Sequence, residues 1–241
     1  MKPLYEPENF DRFYHNKNNS KSLIYIPKKE EPEPHILEHL EKYRPIMEER
    51  RENKSGSIEY FNLHWPRDEE FFSEGPKVLS LRKCPNRPVF SYTEDDCYVM
   101  LSFNVIKTER LNSKYLTALL NSNLIAFWLK YQGKMQGDLY QVDKGPLMNI
   151  PVFEPNKEIQ YKVAELVSDI IANRQKQADY SGLLERAKTD NDFDREIQLT
   201  KQLEQIETDL RKAESNINTI VYGLYEIDPT EIATIEKNIN L

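Results

Sequence analysis

The segment from residue 130 to residue 144 combines the side chains best suited to contacting a nucleic acid. It supplies ammonium, amide and phenol groups, from Lys130, Gln132, Lys134, Gln136, Tyr140, Gln141 and Lys144. Lysine suits guanine edges and phosphates, and glutamine suits adenine edges. We therefore predict that this segment reads bases and phosphates. A solvated polar loop is the alternative, because loops carry function but also plain solvent contacts.

A second candidate is the basic stretch from residue 77 to residue 93, which holds four cations and no acidic residue. Arg82, Lys83 and Arg87 are its predicted DNA contacts, and Arg67 is expected to support them, with His64 beside it. A local charge of +4 suits a phosphate backbone. A solvated basic loop explains the charge equally well.

The segment His35-Ile36-Leu37-Glu38-His39 fits the H-x-x-E-H pattern of inverted zincins. In that pattern two histidines on one helical face bind zinc, and the glutamate acts as a base. No downstream segment offers a third ligand in the expected helical context. Two exposed histidines in the first turn of an amphipathic helix are therefore the favoured interpretation, and a metallohydrolase is kept only as a rival hypothesis.

The formal net charge of −7 is unevenly distributed along the chain. Residues 1 to 155 contain 22 Lys and Arg against 23 Asp and Glu, whereas residues 156 to 241 contain 11 against 17. DNA affinity depends largely on cations that displace counterions from phosphates. Most of the acidity belongs to the tail, so the net charge does not exclude DNA binding by the first part.

No apolar run approaches the roughly 20 residues of a membrane span, and the start MKPLYEPENF lacks the apolar core of a signal peptide. We therefore expect a cytoplasmic protein without a membrane partner. Cys84 and Cys97 match no zinc-ribbon or redox spacing, so both are expected to be reduced and structural.

Hydrophobic periodicity predicts the elements that position these side chains. Helical spacing predicts a helix from about His35 to Arg51, and strand-like runs occupy Val78–Leu81, Val89–Tyr92 and Tyr98–Val105. Two short helices follow, separated by the polar break Asn121-Ser122-Asn123. Glycine, glutamine and lysine then make the segment after Lys130 a predicted loop.

Beyond residue 155 the pattern becomes that of a helical hairpin. Apolar residues recur at alternating steps of four and three, at Leu199, Leu203, Ile206, Leu210, Ala213, Ile217, Ile220 and Leu224. This spacing predicts a heptad seam. The hairpin is expected to turn or kink at Ser181-Gly182 and at Thr189 to Asp192, with Asp192 as an N-cap. Asp228-Pro229 predicts a last short helix.

In order and spacing, several segments resemble the TaqI-like C-terminal target-recognition (specificity) domain of N6-adenine DNA methyltransferases and Type IIG restriction-modification enzymes. The resemblance covers roughly residues 36 to 155. It is carried by the helix LEHLEKYRPIMEERRE, by YFNLHWPRD, by KVLSLRKCPNRPVFSY, by YLTALLNSNLIAFWLKYQGK and by LMNIPVFEP. This chain departs from the commonest family pattern in Tyr60, where tryptophan is frequent, and in an altered glycine segment between Gly133 and Gly137.

Together with the periodicity, the resemblance implies an α+β fold. A mixed β-sheet recognition domain with flanking short helices, residues 1–155, is expected to precede a long coiled-coil-like helical hairpin, residues 156–241. The resemblance implies double-stranded DNA and a methyltransferase domain or subunit as partners, with self-association through the tail as a further expectation.

The family's Asn-Pro-Pro-Tyr segment and its S-adenosylmethionine loop have no counterpart here. We therefore expect no catalytic residue in this chain, and we expect S-adenosylmethionine to belong to the absent methyltransferase domain. The alternative is a helical interaction or scaffold protein that acts through the seam from Leu199 to Leu224.

Overall fold

A computed structural model describes residues 1–19 and 21–239 of the 241 residues. The last two residues of the predicted tail lie outside the described residues. The strands are β1 (Lys2–Tyr5), β2 (Ser22–Leu23), β3 (Lys77–Leu81), β4 (Lys83–Pro85), β5 (Phe90–Thr93), β6 (Tyr98–Val99), β7 (Phe103–Ile106), β8 (Lys134–Gln136) and β9 (Leu139–Gln141). The helices are α1 (Pro34–Glu41), α2 (Arg44–Glu48), α3 (Arg51–Lys54), α4 (Ser113–Asn121), α5 (Asn123–Gln132), α6 (Lys144–Met148), α7 (Lys157–Asp190), α8 (Phe193–Leu224) and α9 (Pro229–Ile239).

The strands form three small sheets, with the orders β2-β1-β6, β5-β3-β7 and β4-β9-β8. Strands β1 and β6 are parallel, and the other pairs are antiparallel. The predicted strand Tyr98–Val105 is in fact two strands, because a turn at residues 101 and 102 sends β6 and β7 to different sheets. The predicted α+β class with a mixed sheet is confirmed.

Helix α4 lies between the β5-β3-β7 sheet and α7, and it is buried almost throughout. Asn112 caps it by accepting hydrogen bonds from the amides of Lys114 and Tyr115, and Ser122 caps α5. The polar break that the sequence predicted between the two helices is therefore confirmed. A helix buried on every side must be covered from several directions, so α4 organises the elements around it.

Helices α7 and α8 form the predicted long hairpin. It turns at Asn191, which adopts the left-handed conformation with φ 58°, and Asp192 then caps α8 through the amide of Arg195. Helix α7 continues unbroken through Ser181 and Gly182, so of the two expected breaks only the second is used. In the described residues no helix is both long and apolar enough to cross a membrane.

One hydrophobic core joins the sheets to the hairpin. It contains residues from both sides of position 155, among them Val78, Tyr115, Val167 and Ile217. Asn156 caps α7 by accepting from the amide of Ile159, so the change from mixed to helical structure falls close to the predicted boundary. The division into residues 1–155 and 156–241 stays a prediction, since packing is continuous across it.

The region from residue 34 to residue 54 differs from the single helix predicted there. It contains three short helices, and Pro45 lies in the first turn of α2. Proline has no amide hydrogen to donate to the carbonyl of Glu41, four residues earlier, and its ring clashes with that carbonyl in a continuous helix, so α1 ends at Glu41. Arg50 then holds the region to the following segment by donating to the carbonyls of Tyr60 and Asn62.

The C-terminal helix starts where the sequence predicted. Asp228 accepts from the amides of Thr230 and Glu231, and the Glu231 carboxylate accepts from the amide of Asp228. This reciprocal cap fixes α9, which packs against α5.

His15 is a buried polar side chain in the N-terminal segment. It is 3% exposed, stacks on Phe10, and its Nε2 finds no hydrogen-bond partner in the part of the chain that the structure describes. Burial lowers the pKa of His15 from 6.5 to about 4. The folded protein therefore holds the neutral imidazole, whereas the unfolded chain accepts a proton below pH 6.5.

We predict that the free energy of unfolding falls as the pH is lowered from 6.5 towards 4, since the unfolded state binds the extra proton in that window. The loss attributable to His15 is on the order of 3 kcal/mol. In urea unfolding as a function of pH, His15→Phe should lose this slope. Exposed His39, changed to Gln, should leave it unchanged. An equal slope in wild type and His15→Phe would contradict the assignment.

Candidate functional site

The two segments that the sequence singled out come together in one sheet. Strand β9 is central, and it pairs with β4 from the basic stretch and with β8 from the 130–144 segment. The register places Lys83 and Lys134 on either side of Gln141. Directly opposed residues in antiparallel strands have Cβ atoms about 5 Å apart, so these three side chains form one row across the sheet.

The two faces of this sheet differ in burial. Cys84 and Tyr140, on the inner face, are 0% and 4% exposed and belong to the main core, with Met135 packed against them. The outer face carries the row Lys83, Gln141 and Lys134 and a second row of Pro85, Leu139 and Gln136. We call this outer face the recognition face. Tyr140 points to the core, so we leave it out of this face.

The cations of the recognition face are available to a ligand. Among the described residues, the side chains of Lys83 and Lys134 make no hydrogen bond or ion pair. Gln141 donates through Nε2 to Oε1 of Gln136 at 2.8 Å, which aligns the two amides across the hairpin. Gln132 and Lys144 flank the sheet as exposed residues. The face thus combines free ammonium groups with oriented amides.

A tight turn produces the β8-β9 hairpin, where the sequence predicted an irregular loop. Residues 137 and 138 form its two-residue connection, and Gly137 has φ +61°, as primed hairpin turns require. The loop prediction was wrong because it was based on the glycine and glutamine content of the segment and did not use its strand-like alternation of apolar and polar residues. Partly buried Met135 and buried Tyr140 alternate with less buried neighbours on either side of the Gly137-Asp138 pair, and this alternation around a Gly-Asp pair is the signal of a hairpin.

Helix α5 leads directly into this hairpin. Gly133 ends the helix, and a Cβ placed there would lie 2.4 Å from the carbonyl oxygen of Leu129. The chain can therefore turn this closely into β8 only without a side chain. Lys130, near the end of α5, donates to the carbonyl of Asn238 at 2.7 Å. Its ammonium group is occupied by α9, unlike that of Lys134.

The three predicted arginines bind other parts of this chain. Arg67 donates to the carbonyls of Met100 and Phe103, at 3.1 and 3.0 Å. Arg82 pairs with Asp143 at 2.9 Å. Lys77, also in the basic stretch, is 0% exposed and donates to the carbonyl of Ser73. Of the cations between residues 77 and 93, only Lys83 is both exposed and unpaired among the described residues.

Arg87 lies at a polar junction between the sheet and the helices. Its Nη2 donates to Oδ1 of Asn123 at 2.7 Å, and burial lowers its pKa to about 10. Asn123 in turn donates to both carboxylate oxygens of Glu236 on α9, at 2.8 and 2.9 Å. Tyr222 of α8 donates to the same carboxylate at 2.6 Å. Arg87 therefore connects the turn after β4 to α5, α8 and α9.

The histidine pair and Cys97 lie outside the β4-β9-β8 sheet, and Cys84 lies on its buried inner face. His35 and His39 are exposed on α1. Within residues 1–19 and 21–239, no group of three or more His, Cys, Asp or Glu residues is placed to hold a metal ion. Cys84 and Cys97 are free thiols, and burial raises their pKa values to about 11 and about 12. These values make both thiols weak nucleophiles near neutral pH.

The comparisons with known proteins point to one kind of domain. The family model described as the TaqI-like C-terminal specificity domain matches residues 7–152. The Type II methyltransferase M.HincII of Haemophilus influenzae is 31% identical over 68 residues, which is 26% of this chain and 14% of that protein. M.HindII of Haemophilus influenzae strain ATCC 51907 / DSM 11121 / KW20 / Rd is 31% identical over 68 residues, 26% of this chain and 13% of that protein.

A solved structure of the Type IIL restriction-modification enzyme MmeI in complex with DNA has a similar fold. The TM-score is 0.52 at 14% sequence identity, and the match covers 86% of this chain and 26% of that chain. At this identity the likeness concerns the fold alone. The chain spans about a quarter of MmeI and about one seventh of the two methyltransferases.

We predict that Gly133→Ala lowers the free energy of unfolding by about 1 to 3 kcal/mol, because the new methyl group meets a backbone carbonyl and forces the hairpin away from α5. Gly182→Ala is the matched control. Gly182 lies in α7 with open space at its Cβ position, so alanine there should stabilise the protein by about 0.5 to 1 kcal/mol. Urea unfolding of both variants measures the effect, and equal effects would contradict the proposed close approach.

Proposed function

Because this chain belongs to the family of TaqI-like C-terminal specificity domains, we propose that it recognises a DNA sequence for a restriction-modification methyltransferase. The recognition face is the proposed contact surface. Lys83, Lys134, Gln136 and Gln141 are its principal residues, with Gln132 and Lys144 at its edges. The observation that carries the proposal is the cross-strand row in which two unpaired lysines flank a glutamine.

The chemistry of this face suits double-stranded DNA. The major groove admits a two-stranded β-ribbon. The β8-β9 hairpin belongs to the three-stranded sheet and carries Lys134, Gln136 and Gln141 on its outer face. Glutamine amides pair with the N6 and N7 edge of adenine, and lysines bind phosphates or guanine edges. The bond between Gln136 and Gln141 aligns the two amides, and among the described residues it leaves Nε2 of Gln136 and Oε1 of Gln141 without a partner.

The arginines contribute to the proposed function indirectly. Arg82 and Arg87 fix the two ends of β4, through Asp143 and Asn123 respectively. Arg67 and Lys130 are likewise bound within the chain. We therefore assign these four residues to positioning and the free lysines to DNA contact.

In this proposal the chemical step belongs to another part of the parent system. The parent is a site-specific N6-adenine methyltransferase of the Type IIG kind, in which a separate methyltransferase domain holds S-adenosylmethionine. This chain supplies no catalytic residue and places that domain on its target. The family match and the short alignments to Type II methyltransferases support this division of labour.

The free hairpin tip favours a second candidate function, in protein association. Helix α8 exposes Phe193 and Ile197, at 69% and 55%, one helical turn apart. Gln175, which accepts a hydrogen bond from the Tyr14 hydroxyl, is the last α7 residue with a hydrogen bond to the first 19 residues in the part of the chain that the structure describes. Neighbouring exposed apolar side chains on one helical face suit a contact with another protein.

For DNA recognition we predict that the chain enriches particular duplexes from a randomised pool. Lys83→Ala combined with Lys134→Ala should then lower affinity for an enriched duplex and reduce the slope of log K against log salt by about 1.8, since each lost phosphate contact removes about 0.9. The measurement is a fluorescence titration at several salt concentrations.

Lys176→Ala combined with Lys201→Ala is the matched control, because it removes the same charge from exposed positions on the hairpin. This variant should keep the wild-type slope. Equal slopes in the two double variants would show that the effect is one of net charge and would contradict the recognition face. Absence of any enriched duplex would contradict DNA recognition by this chain.

For the second candidate we predict concentration-dependent self-association of the chain, measured by light scattering in the micromolar range. Phe193→Ser combined with Ile197→Ser should return the chain to a monomer, because it removes the exposed apolar surface at the tip. A wild-type chain that remains monomeric across the range would rule out association through the tip.

A further inference from the structure

The turn between β6 and β7 exposes two large apolar side chains. Met100 and Leu101 are 57% and 64% exposed, and the amide of Phe103 closes the turn by donating to the carbonyl of Met100 at 3.2 Å. We call Met100, Leu101 and Ser102 the apolar turn. Adjacent exposed methionine and leucine side chains on a tight turn contribute nothing to the core of this chain, which suggests contact with another molecule.

Two arginines hold the backbone of the apolar turn. Arg67 donates to the carbonyl of Met100 at 3.1 Å, and Arg82 donates through Nη1 to the carbonyl of Leu101 at 3.3 Å. The backbone amide of Arg82 donates to the carbonyl of Ser102 at 2.9 Å. All three carbonyls are bound inside the protein, so the backbone of the turn is held in place while its two apolar side chains are exposed to solvent.

The apolar turn borders the recognition face. Leu101 and Ser102 line a groove of about 400 Å³ together with Arg82, Lys83 and Asp143. Arg82 neutralises Asp143, and Lys83 is a member of the row across the recognition face. A duplex bound to Lys83 would therefore lie against Leu101.

We infer that Met100 and Leu101 form a wedge that enters the DNA bound on the recognition face and separates two stacked base pairs. This inference rests on the proposed function. Leucine and methionine are among the side chains that proteins insert between base steps, and unstacking a step bends the duplex by 20 to 90°. Pyrimidine–purine steps open most easily, so the wedge would add sequence preference without a hydrogen bond to a base.

A protein partner for the same turn is the rival interpretation. The unpaired ammonium group of Lys83 and the fixed backbone favour DNA, because a wedge must be rigid and must lie beside a phosphate contact. The two interpretations differ in a measurable way. Only the wedge changes the stacking of bases in a duplex that the chain binds by itself.

The test uses the full chain and a duplex enriched from the randomised pool, with 2-aminopurine placed at successive base steps. Wild-type protein should increase 2-aminopurine fluorescence at one step, which reports unstacking. Met100→Ser combined with Leu101→Ser should abolish this increase and weaken binding of the enriched duplex by about tenfold, which corresponds to about 1.4 kcal/mol. The same variant should bind a scrambled duplex as wild type does.

Ile46→Ser is the control, since Ile46 is 75% exposed on α2 and lies outside the groove. It should leave affinity and fluorescence unchanged. Thermal unfolding should be the same for all three proteins, because each altered side chain is exposed.

A double variant that retains the fluorescence increase and the affinity would overturn the wedge while leaving DNA recognition intact. That outcome includes the case in which the turn binds only a protein. Failure of wild type to enrich any duplex would instead overturn both proposals.

Discussion

Burial of helix α4 is the constraint on which the rest of the structure depends. Every residue from Tyr115 to Asn121 is buried, so the helix needs a sheet on one side and the α7-α8 hairpin on another. Its one large polar group at the C-terminal end is satisfied by the sheet, because Asn121 exchanges hydrogen bonds with the backbone of Phe90. Helix α4 thus connects the packing of the core to the pairing of the strands. It supports the small sheets, which would be marginally stable on their own.

The position of the recognition face is set by the packing of its sheet against this core. Cys84 and Tyr140 attach the inner face of the sheet to the residues that surround α4, which forces their neighbours along the strands outwards. The arginines and lysines near this face have different roles. Arginine has five donors in a planar fork, so it can satisfy several carbonyls at once, whereas lysine carries a strongly hydrated point charge. Arg67, Arg82 and Arg87 accordingly hold loops together, and Lys83 and Lys134 remain exposed.

Charge distribution agrees with a separation of roles between sheet and hairpin. Residues 156 to 241 hold 17 acidic and 11 basic side chains, so the hairpin repels a polyanion. A duplex would approach the face that bears unpaired lysines and avoid the acidic helices. The exposed apolar pair at the hairpin tip suits a protein surface better than DNA for the same reason. Within the proposed function, the recognition face binds the nucleic acid and the exposed apolar pair on α8 binds a protein.

The sequence by itself determined the features that depend on neighbours a few residues apart: the caps at Ser122, Asp192 and Asp228, the heptad seam of α8, and the succession of short strands before a helical tail. It also placed the chain in its family, because order and spacing of motifs are properties of sequence. Only the tertiary structure decided which polar residues are free. Tyr140 is buried, Arg87 is bound to Asn123, and Lys83 and Lys134 lie in one row across the sheet. These arrangements depend on contacts between residues about 35 to 60 positions apart in the sequence. Local patterns report helical and strand periods, whereas burial and pairing depend on distant residues that no short window of sequence contains.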